Sequence, residues 1–286
     1  VGITGAPGTG KSTVVNALAR TLREREQTVG IIAVDPTSPF SGGAVLGDRI
    51  RMVDLAGDRG VFIRSMANRG SLGGLAATTG DVARVLDAAG FDVILIETVG
   101  AGQSEVDIAR TAYTTIVVDA PGMGDDVQAI KAGILEIADI LVVNKADRPG
   151  AENTVRALRA MLELGHRLRT NLHHGELLTR PASPDASVYD FWQVPILKTI
   201  ATEGEGLGAL VDAIERHRAY LADSGLLVER QRAGIEAELA TRLREALLDR
   251  LIRQRTPAAL EELIERVLAR QLDPGSAVRM LMDGSA

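Results

Sequence analysis

Short runs of apolar, β-branched residues alternate with amphipathic stretches along roughly the first two hundred residues of the chain. The apolar runs are typical of buried strands, and we predict six of them, at residues 1–4, 29–34, 93–96, 115–118, 140–143 and 194–197. The stretches between them have helical periodicity at residues 11–25, 81–89, 125–137 and 151–164. Strands that alternate with helices form βαβ units. The pattern therefore predicts an α/β fold with a mostly parallel central sheet flanked by helices.

The alternating pattern stops in two places farther along the chain. Residues 171–192 contain Pro181 and Pro184 and few apolar positions, which predicts a long surface loop. Beyond Gly208 the pattern is helical only, and one stretch has an apolar residue at every fourth position: Ile235, Leu239, Leu243, Leu247 and Leu251. We therefore predict an α/β domain over residues 1–222 and an α-helical C-terminal extension over residues 223–286. The apolar face of this extension either packs on its own domain or forms a homodimer, or does both.

The composition of the chain indicates its cellular location and the class of partner that it binds. The 286 residues carry a formal net charge of −6, which argues against a nucleic-acid partner because phosphate backbones need a basic surface. The chain has no cysteine, and no apolar run approaches the roughly 20 residues that cross a bilayer. We expect a cytoplasmic protein without disulfides or membrane contact. Because the chain starts at Val1, without a methionine and inside a predicted strand, we also expect that residues precede it.

Residues 5–12 read Gly-Ala-Pro-Gly-Thr-Gly-Lys-Ser, which fits the phosphate-binding pattern G-x-x-x-x-G-K-[S/T] at every position. Glycines let the backbone turn its N–H groups towards phosphate oxygens, next to a helix N-terminus with positive partial charge. Lys11 supplies a cation for the β- and γ-phosphates, and the Ser12 hydroxyl is a ligand for Mg²⁺. The loop stands between a predicted strand and a predicted helix, which is the context that the motif requires. We predict that it binds a nucleotide through Gly8, Thr9, Gly10, Lys11, Ser12 and Thr13.

Residues 144–147, Asn-Lys-Ala-Asp, follow another predicted strand and have the N-K-x-D arrangement of G proteins. The Asp147 carboxylate is suited to accept hydrogen bonds from the guanine N1–H and the exocyclic amine. Adenine lacks this pair of donors, so ATP would leave the carboxylate unpaired. The stem of Lys145 can pack over the plane of the base. The motif therefore predicts that Asn144, Lys145 and Asp147 select GTP and GDP over adenine nucleotides.

Three acidic residues stand where a magnesium ion is expected. Asp35 and Glu97 each follow a predicted strand, and Asp48 lies in a short polar segment. Mg²⁺ takes about six oxygen ligands and keeps several waters, so one or two of these acids need only act through water. The alternative is that a strand-end acid forms a turn or caps a helix. We predict a metal site made by Ser12, Asp35, Asp48 and Glu97.

These motifs and their surroundings resemble the MeaB/ArgK family of G proteins, within the SIMIBI class of P-loop GTPases. The similarity lies in residues 34–39, 42–52, 97–105, 122–131 and 145–147; it is specific up to about residue 148 and looser beyond it. The resemblance implies a cytosolic homodimer that binds methylmalonyl-CoA mutase or a related adenosylcobalamin-dependent acyl-CoA mutase. It implies that hydrolysis of GTP gates the loading of the cofactor and protects the mutase from inactivation.

The resemblance also assigns roles to several positions. It places Asp35, Asp48 and Glu97 among the magnesium-region acids and the Gly100 amide beside the γ-phosphate. It places Asp125, Gln128 and Lys131 in a switch that contacts the mutase, although an ordinary amphipathic helix is an equal alternative for that stretch. The loop that meets guanine reads Ile200, Ala201 and Thr202, without the family's usual serine.

The mechanism expected is attack of water on the γ-phosphate of Mg-GTP, with charge neutralised by Lys11, the metal and loop amides. Gln103 and Glu105 are the candidates for orienting the water. No arginine finger is evident in the sequence, so we expect slow hydrolysis that a partner accelerates.

Three other functions remain open from the sequence. A GTPase that inserts metal into an enzyme needs clustered cysteine or histidine ligands, and the chain has no cysteine. A kinase of a transport protein, as ArgK-like proteins have been labelled, would have no particular preference for guanine. A scaffold that binds GTP without cleaving it would work without Lys11.

Overall fold

The computed structural model of the chain describes residues 1–36, 52–55, 57–68, 77–98, 104–123, 135–172, 192–253 and 257–283. These residues contain one sheet with seven strands: β1 (Gly2–Thr4), β2 (Val29–Pro36), β3 (Val61–Asn68), β4 (Val93–Glu97), β5 (Thr115–Asp119), β6 (Ile140–Asn144) and β7 (Ile196–Thr199). The six predicted strands are confirmed, with ends that differ from the prediction by at most two residues.

The strands lie in the order β3-β2-β4-β1-β5-β6-β7, and every neighbouring pair is parallel. Parallel pairing brings the carboxyl ends of all strands to one edge of the sheet. The first strand lies in the middle, between β4 on one side and β5 on the other. From β1 the chain passes one position to reach β2 and continues outwards to β3. It then returns to β4 beside β1 and continues on the other side of β1 through β5, β6 and β7. In open α/β sheets such a change of direction creates a crevice at the carboxyl edge, where ligands bind.

The helices are α1 (Lys11–Glu24), α2 (Ala77–Ala88), α3 (Ser104–Thr111), α4 (Ala151–Leu172), α5 (Leu207–Asp223), α6 (Leu226–Arg253), α7 (Pro257–Leu268) and α8 (Pro274–Asp283), with a 3-10 turn at Val53–Leu55. Helix α1 shows why the periodicity worked as a predictor. Its buried side chains include Val14, Val15, Leu18 and Leu22, which the spacing of 3.6 residues per turn places on one face. That face packs against the sheet.

The core has one layer on each face of the sheet, and alternate residues of the strands supply the two layers. Ile140 and Val142 of β6 belong to the layer under α1 and α5, whereas Leu141 and Val143 belong to the layer under α4. A second cluster on the α4 side lies under α2 and α3 and includes Ile32, Leu86 and Ile108. Because β6 is buried on both faces, its sequence is apolar at every one of these positions, as expected for a central parallel strand.

Among the described residues, three elements differ from the sequence predictions by more than four residues. Strand β3 was missed, because Phe62 and Arg64 on one face are exposed and the apolar run is interrupted. Helix α3 was also missed, and α4 continues to Leu172, past its predicted end at 164 and into the stretch predicted as a loop. Of the predicted loop 171–192, residues 173–191 lie outside the described residues, as do residues 125–134 of the helix predicted at 125–137.

The described chain divides into two compact units, Val1–Ala233 and Gly234–Ala286. The predicted boundary at residue 222 remains a prediction. In the second unit, four apolar side chains of α6 are between 55% and 61% exposed: Ile235, Leu239, Leu243 and Leu247. The repeat of apolar residues in the sequence therefore corresponds to an exposed stripe along this helix. Among the described residues, no helix is long and apolar enough to cross a membrane.

Candidate functional site

The phosphate loop lies at the centre of the carboxyl edge, between the end of β1 and the start of α1. Two of its glycines are required by close contacts. A Cβ on Gly5, which has a φ of 140°, would lie 2.1 Å from the carbonyl oxygen of Val118. A Cβ on Gly10, with a φ of 91°, would lie 2.5 Å from Asn144 Nδ2. Both positions also have positive φ values, which favour glycine. The motif therefore has its expected strand–loop–helix context, and its backbone packs directly on β5 and on the end of β6.

The Lys11 side chain folds over the loop in which it lies. Its Nζ donates hydrogen bonds to the carbonyl oxygens of Gly5, at 2.8 Å, and Ala6, at 3.1 Å, and the residue is almost fully buried. Thr9 Oγ1 donates to the same Ala6 oxygen at 2.9 Å. A phosphate group entering the loop meets an ammonium group already held at its centre, next to the N-terminus of α1, where the helix dipole favours negative charge.

Ser12, in the first turn of α1, meets Glu97 at the end of β4. Ser12 Oγ donates a hydrogen bond of 2.6 Å to Glu97 Oε1, and Glu97 is 5% exposed. A hydroxyl and a carboxylate are oxygen ligands of the kind that Mg²⁺ prefers, and Ser12 is the last residue of the phosphate loop, directly after Lys11. The donor set therefore fits a magnesium ion that is completed by phosphate oxygens and water.

Asn144 links the phosphate loop to the loop after β7. Its Nδ2 donates to the Thr9 carbonyl oxygen at 3.0 Å. Its Oδ1 accepts hydrogen bonds from Thr199 Oγ1, at 3.1 Å, and from the Ala201 N–H, at 3.2 Å. Asn144 and Thr199 are both buried. This single amide therefore holds the phosphate loop and the turn after β7 together.

The remaining members of the N-K-x-D motif lie on the outer side of Asn144. Lys145 has a φ of 58°, in the left-handed region, and its Nζ donates a 2.7 Å hydrogen bond to the Gly8 carbonyl oxygen. The lysine stem thus spans from the base-binding motif back to the phosphate loop. Asp147 is exposed, so its carboxylate is accessible to a ligand. This arrangement suits a base that lies on the lysine stem with its polar edge towards Asp147.

The predicted guanine loop is a tight turn held by its own backbone. Ile200 and Glu205 exchange two backbone hydrogen bonds, at 3.1 and 3.3 Å, and Gly204 and Gly206 both have positive φ values. A Cβ on Gly206 would lie 2.2 Å from the Lys198 carbonyl oxygen. Thr202, at the tip, is exposed. The turn is therefore ordered by glycine geometry and backbone pairing rather than by the serine that is usual in the family.

The structure brings the phosphate loop, Glu97, the N-K-x-D motif and residues 200–202 to one edge of the sheet. Only the backbone is described for two further predicted site residues: Asp35 lies in β2 and Glu105 in α3. Six predicted site residues lie outside the described residues: Asp48, Gly100, Gln103, Asp125, Gln128 and Lys131.

Sequence reasoning missed three buried threonines at this edge. Thr199 holds Asn144, as described above, and the hydroxyl of Thr98 donates to that of Thr4 at 2.9 Å. Each of the three stands at the end of a strand or directly after one, the position from which the motif residues also leave the sheet. Their position at or directly after a strand end is the feature of the sequence from which these threonines could have been predicted as site residues.

The opposite, amino edge of the sheet carries a second polar group, which we call the amino-edge cluster: Thr114, Asp139, Trp192, His217 and Arg230. Asp139, directly before β6, is its centre. The Arg230 guanidinium donates to both carboxylate oxygens, at 2.8 and 3.0 Å, and the Thr115 N–H donates to Oδ2 at 2.8 Å. His217 Nε2 lies 3.3 Å from Oδ1.

The other contacts of the cluster enclose the imidazole of His217, which is fully buried. Its Nδ1 lies 2.9 Å from the Thr114 hydroxyl, and the Trp192 ring lies against it with centroids 4.7 Å apart. Burial alone would raise the pKa of Asp139, but the contacts with His217 and Arg230 outweigh it and lower the pKa below its usual value. Sequence reasoning did not find this cluster.

Comparisons with known proteins identify the family of the chain. A family model described as methylmalonyl-CoA mutase-associated GTPase MeaB matches residues 1–256. A protein of Pyrococcus abyssi that is named as a GTPase is 47% identical over 282 residues, which cover 99% of this chain and 82% of that protein. A mouse protein named methylmalonic aciduria type A homolog, mitochondrial, is 33% identical over 288 residues, covering 99% of this chain and 64% of that protein.

Among solved structures, the crystal structure of a LAO/AO transport system kinase is similar with a TM-score of 0.64 and 30% sequence identity. The similarity covers 99% of this chain and 80% of that one. It therefore extends over the whole chain, including the helices that follow the α/β unit.

Proposed function

This chain belongs to the MeaB family of methylmalonyl-CoA mutase-associated GTPases, and from that premise we propose that it is a GTP-dependent chaperone of an adenosylcobalamin-dependent acyl-CoA mutase. In this role, binding and hydrolysis of GTP gate the loading of the cofactor and protect the mutase from inactivation. The observation that carries the proposal is the match of the family model to residues 1–256, which extends far beyond the nucleotide motifs. The similarity to the mouse protein named for methylmalonic aciduria supports the same client.

The chain is a P-loop GTPase, and we propose the following roles for its residues in binding and cleaving the nucleotide. Loop N–H groups and Lys11 bind the phosphates, and Asp147 selects guanine. We propose that Ser12 and Glu97 hold Mg²⁺, with Asp35 and Asp48 acting through water; the ion supplies charge neutralisation at the phosphates. Gln103 and Glu105 are proposed to orient the attacking water. The protein alone then hydrolyses GTP slowly, and a partner accelerates the reaction.

The proposed contact with the mutase lies in the segment that contains Asp125, Gln128 and Lys131. The chain enters this segment from β5, which lies beside the phosphate loop. Gly5 packs on the backbone of Val118 in β5, and a Cβ on Gly8 would lie 3.9 Å from Met123 Cε. Met123 is the last described residue before the segment. This proximity supports a mutase-sensing role for the segment. A movement of the phosphate loop on nucleotide binding or hydrolysis would be transmitted to it through Val118 and Met123.

We propose further that the protein is a homodimer in which the helical extension supplies contacts. The exposed stripe of α6, defined above by Ile235, Leu239, Leu243 and Leu247, supports this proposal because exposed apolar stripes of this length mark interaction surfaces. Sedimentation at micromolar concentration tests it. A monomer at that concentration would exclude the dimer, and a dimer that Leu239→Asp together with Leu243→Asp converts to a monomer would support it.

A second function, a kinase of a transport protein, is favoured by one observation, the similarity to the LAO/AO transport system kinase. The two functions differ in the fate of the γ-phosphate. A kinase transfers it to a side chain of its substrate, whereas the proposed chaperone releases it as inorganic phosphate. Incubation with γ-labelled GTP and a periplasmic binding protein for basic amino acids separates them, because only a kinase leaves label on that protein.

The main experiment measures capture of adenosylcobalamin-dependent methylmalonyl-CoA mutase by the immobilised full chain, with GDP and with a non-hydrolysable GTP analogue. GTP turnover is followed in the same samples. We expect capture that depends on the nucleotide and faster release of phosphate when the mutase is present. Lys131→Ala is the matched variant: it should lose the acceleration by the mutase while keeping its own slow turnover.

Absence of capture in both nucleotide states would overturn the chaperone proposal and leave a GTPase with another client. Capture without any effect of nucleotide would also contradict it, because a gate must distinguish GTP from GDP.

A further inference from the structure

Two buried threonine hydroxyls join the strand that leads into the phosphate loop to the strand that ends at Glu97. Thr4 is the last residue of β1, and Thr98 is the first residue after β4. Thr98 Oγ1 donates a hydrogen bond of 2.9 Å to Thr4 Oγ1. The two residues are 0% and 1% exposed, so water does not reach this bond. We call these residues the threonine pair.

The threonine pair lies between the two groups that surround the phosphates. Thr4 is followed directly by Gly5, whose position is fixed by its contact with the Val118 carbonyl oxygen. Thr98 is preceded directly by Glu97, whose Oε1 accepts the hydrogen bond from Ser12. The Thr98 N–H donates to the Ile3 carbonyl oxygen at 3.1 Å, beyond the last paired residues of the ladder, Ile3 and Glu97. The side-chain bond therefore continues the connection between β1 and β4 up to the edge of the site.

Packing alone does not require hydroxyls at these two positions. Valine has nearly the same shape as threonine, and a pair of valines would fill the space without burying polar groups. A hydrogen bond between two β-branched side chains adds direction: it fixes χ1 of both residues and the offset of the two strand ends. Methyl groups in contact allow more variation in that offset. The pair is therefore suited to hold two loops in register.

We propose that Thr4 and Thr98 are positioning residues for GTP hydrolysis, which fix the Glu97 carboxylate relative to Ser12 and the phosphate loop. Neither threonine touches the nucleotide in this role; both act through Glu97 and Gly5. The inference rests on the GTPase activity and on the proposed metal site of Ser12 and Glu97. It does not rest on the proposed mutase client, so failure of one of these proposals leaves the other standing.

The test compares Thr98→Val, Thr98→Ser and Thr4→Val in the full chain. Thr98→Val should lower kcat about tenfold, the lower end of the effects seen when support for a metal ligand is removed. It should also reduce, by a similar factor, the ratio of GDP affinity with Mg²⁺ to GDP affinity in EDTA. Affinity in EDTA should change less than twofold, because the phosphate loop and the base site remain. Thr98→Ser keeps the hydroxyl and should restore both quantities.

Thr114→Val is the matched control, because it removes a buried threonine hydroxyl with a bond of the same 2.9 Å length at the amino edge of the sheet. It should lower the melting temperature while leaving kcat and the Mg²⁺ dependence of GDP binding unchanged. If Thr98→Val also changes only the melting temperature, the threonine pair is purely structural and the proposal is wrong. The same conclusion follows if Thr98→Ser fails to restore kcat.

Thr4→Val removes the acceptor of the same hydrogen bond. If Thr98→Val does not fold, this variant tests the proposal in its place. The double variant Thr4→Val/Thr98→Val should lose no more activity than the more affected single variant, because both substitutions break one bond. Additive losses would show that the two hydroxyls act independently, and this would contradict the pair.

Discussion

The two edges of the central sheet both carry buried polar residues, but these residues are arranged for different purposes. At the carboxyl edge they stand on consecutive strand ends and face a loop that is shaped for phosphate. At the amino edge, the carboxylate of Asp139 is enclosed by Arg230, His217 and the backbone of Thr115 from its own chain. We propose that the groups at the carboxyl edge bind another molecule. At the amino edge, the Asp139 carboxylate is bound by groups of its own chain. A buried charge with a lowered pKa is therefore not sufficient to identify a functional site.

The amino-edge cluster instead joins helices to the sheet. Arg230 lies in the first turns of α6 and His217 in α5, and both reach the loop before β6. Asp139 is buried, whereas the Arg230 side chain is 38% exposed. The contacts fix which elements meet, and removal of Asp139, the buried partner of both side chains, is destabilising. We therefore expect that substitutions at the carboxyl edge of the sheet change GTPase activity and that substitutions at the amino edge change the stability of the fold.

The largest effect is expected for Lys11→Ala. Loss of the ammonium should lower kcat/KM for GTP about 1,000-fold, comparable to the removal of a donor that stabilises developing charge. The melting temperature should stay within a few degrees, because the two Lys11 hydrogen bonds described above end on carbonyl oxygens of its own loop. The matched control is Lys198→Ala, which removes a surface salt bridge to Glu152 and should leave GTP turnover unchanged. Normal turnover by Lys11→Ala would contradict the assignment of the phosphate site and favour a scaffold that does not need the lysine.

Asp139→Ala is expected to have the next largest effect, this time on stability. It removes the centre of the amino-edge cluster and leaves His217 buried beside a guanidinium, so the free energy of unfolding should fall by about 3 kcal/mol. In a unit of this size that corresponds to a decrease in melting temperature of about 6 to 12 °C. GDP affinity at 25 °C should not change. A variant that unfolds normally but binds GDP weakly would reverse the proposed roles of the two edges.

The same residue predicts a dependence of stability on pH. The folded pKa of Asp139 lies below its unfolded value of about 3.9, so its contribution is fully present above that pH and is lost as the pH falls through the folded pKa. Urea unfolding between pH 7 and pH 3 should therefore show a smaller decrease in stability for Asp139→Asn than for the unchanged chain. Equal slopes would show that the contacts of Arg230 and His217 do not lower this pKa.

The contrast between the edges also explains what the sequence could predict. Residues 5–12 and 144–147 are contiguous, and each motif follows an apolar run, so local spacing was enough to place Lys11 and Asp147 at one edge. Asp139, Trp192 and Arg230 come from distant parts of the chain, and no local pattern connects them. Their meeting depends on how β6, the approach to β7 and the start of α6 pack together.

Strand β3 illustrates a second limit. It lies at the end of the sheet, paired only with β2 among the described strands, and alternate side chains such as Phe62 and Arg64 face solvent. A search for continuous apolar runs detects strands that are buried on both faces, such as β6, and passes over a strand that is buried on one. The order of the strands likewise follows from tertiary packing rather than from any one segment.

The fourth prediction concerns the choice of base at the carboxyl edge. Asp147→Asn replaces an acceptor of two guanine hydrogen bonds with an amide, and we expect the affinity for GDP to fall about 100-fold. Affinity for XDP should rise, because xanthine offers a carbonyl group in place of the exocyclic amine and the asparagine N–H₂ can donate to it. Competition between the two nucleotides measures the change directly. Equal loss of both affinities would mean that Asp147 supports the loop and does not read the base.

The smallest expected effect is that of Thr199→Val. It gives the most direct comparison of the two edges of the sheet, because a threonine is replaced by valine at both. Thr199→Val removes the hydroxyl that donates 3.1 Å to Asn144 Oδ1, while the bonds of Asn144 to Ala201 and Thr9 remain. A single buried hydrogen bond contributes about 1 kcal/mol, so GDP affinity should fall about fivefold. Thr199→Ser should restore it. Thr114→Val loses a bond of similar length at the amino edge and should lose a similar amount of stability with unchanged GDP affinity. If both valine variants weaken GDP binding equally, stability and nucleotide binding are coupled through the sheet, and the two edges do not act separately.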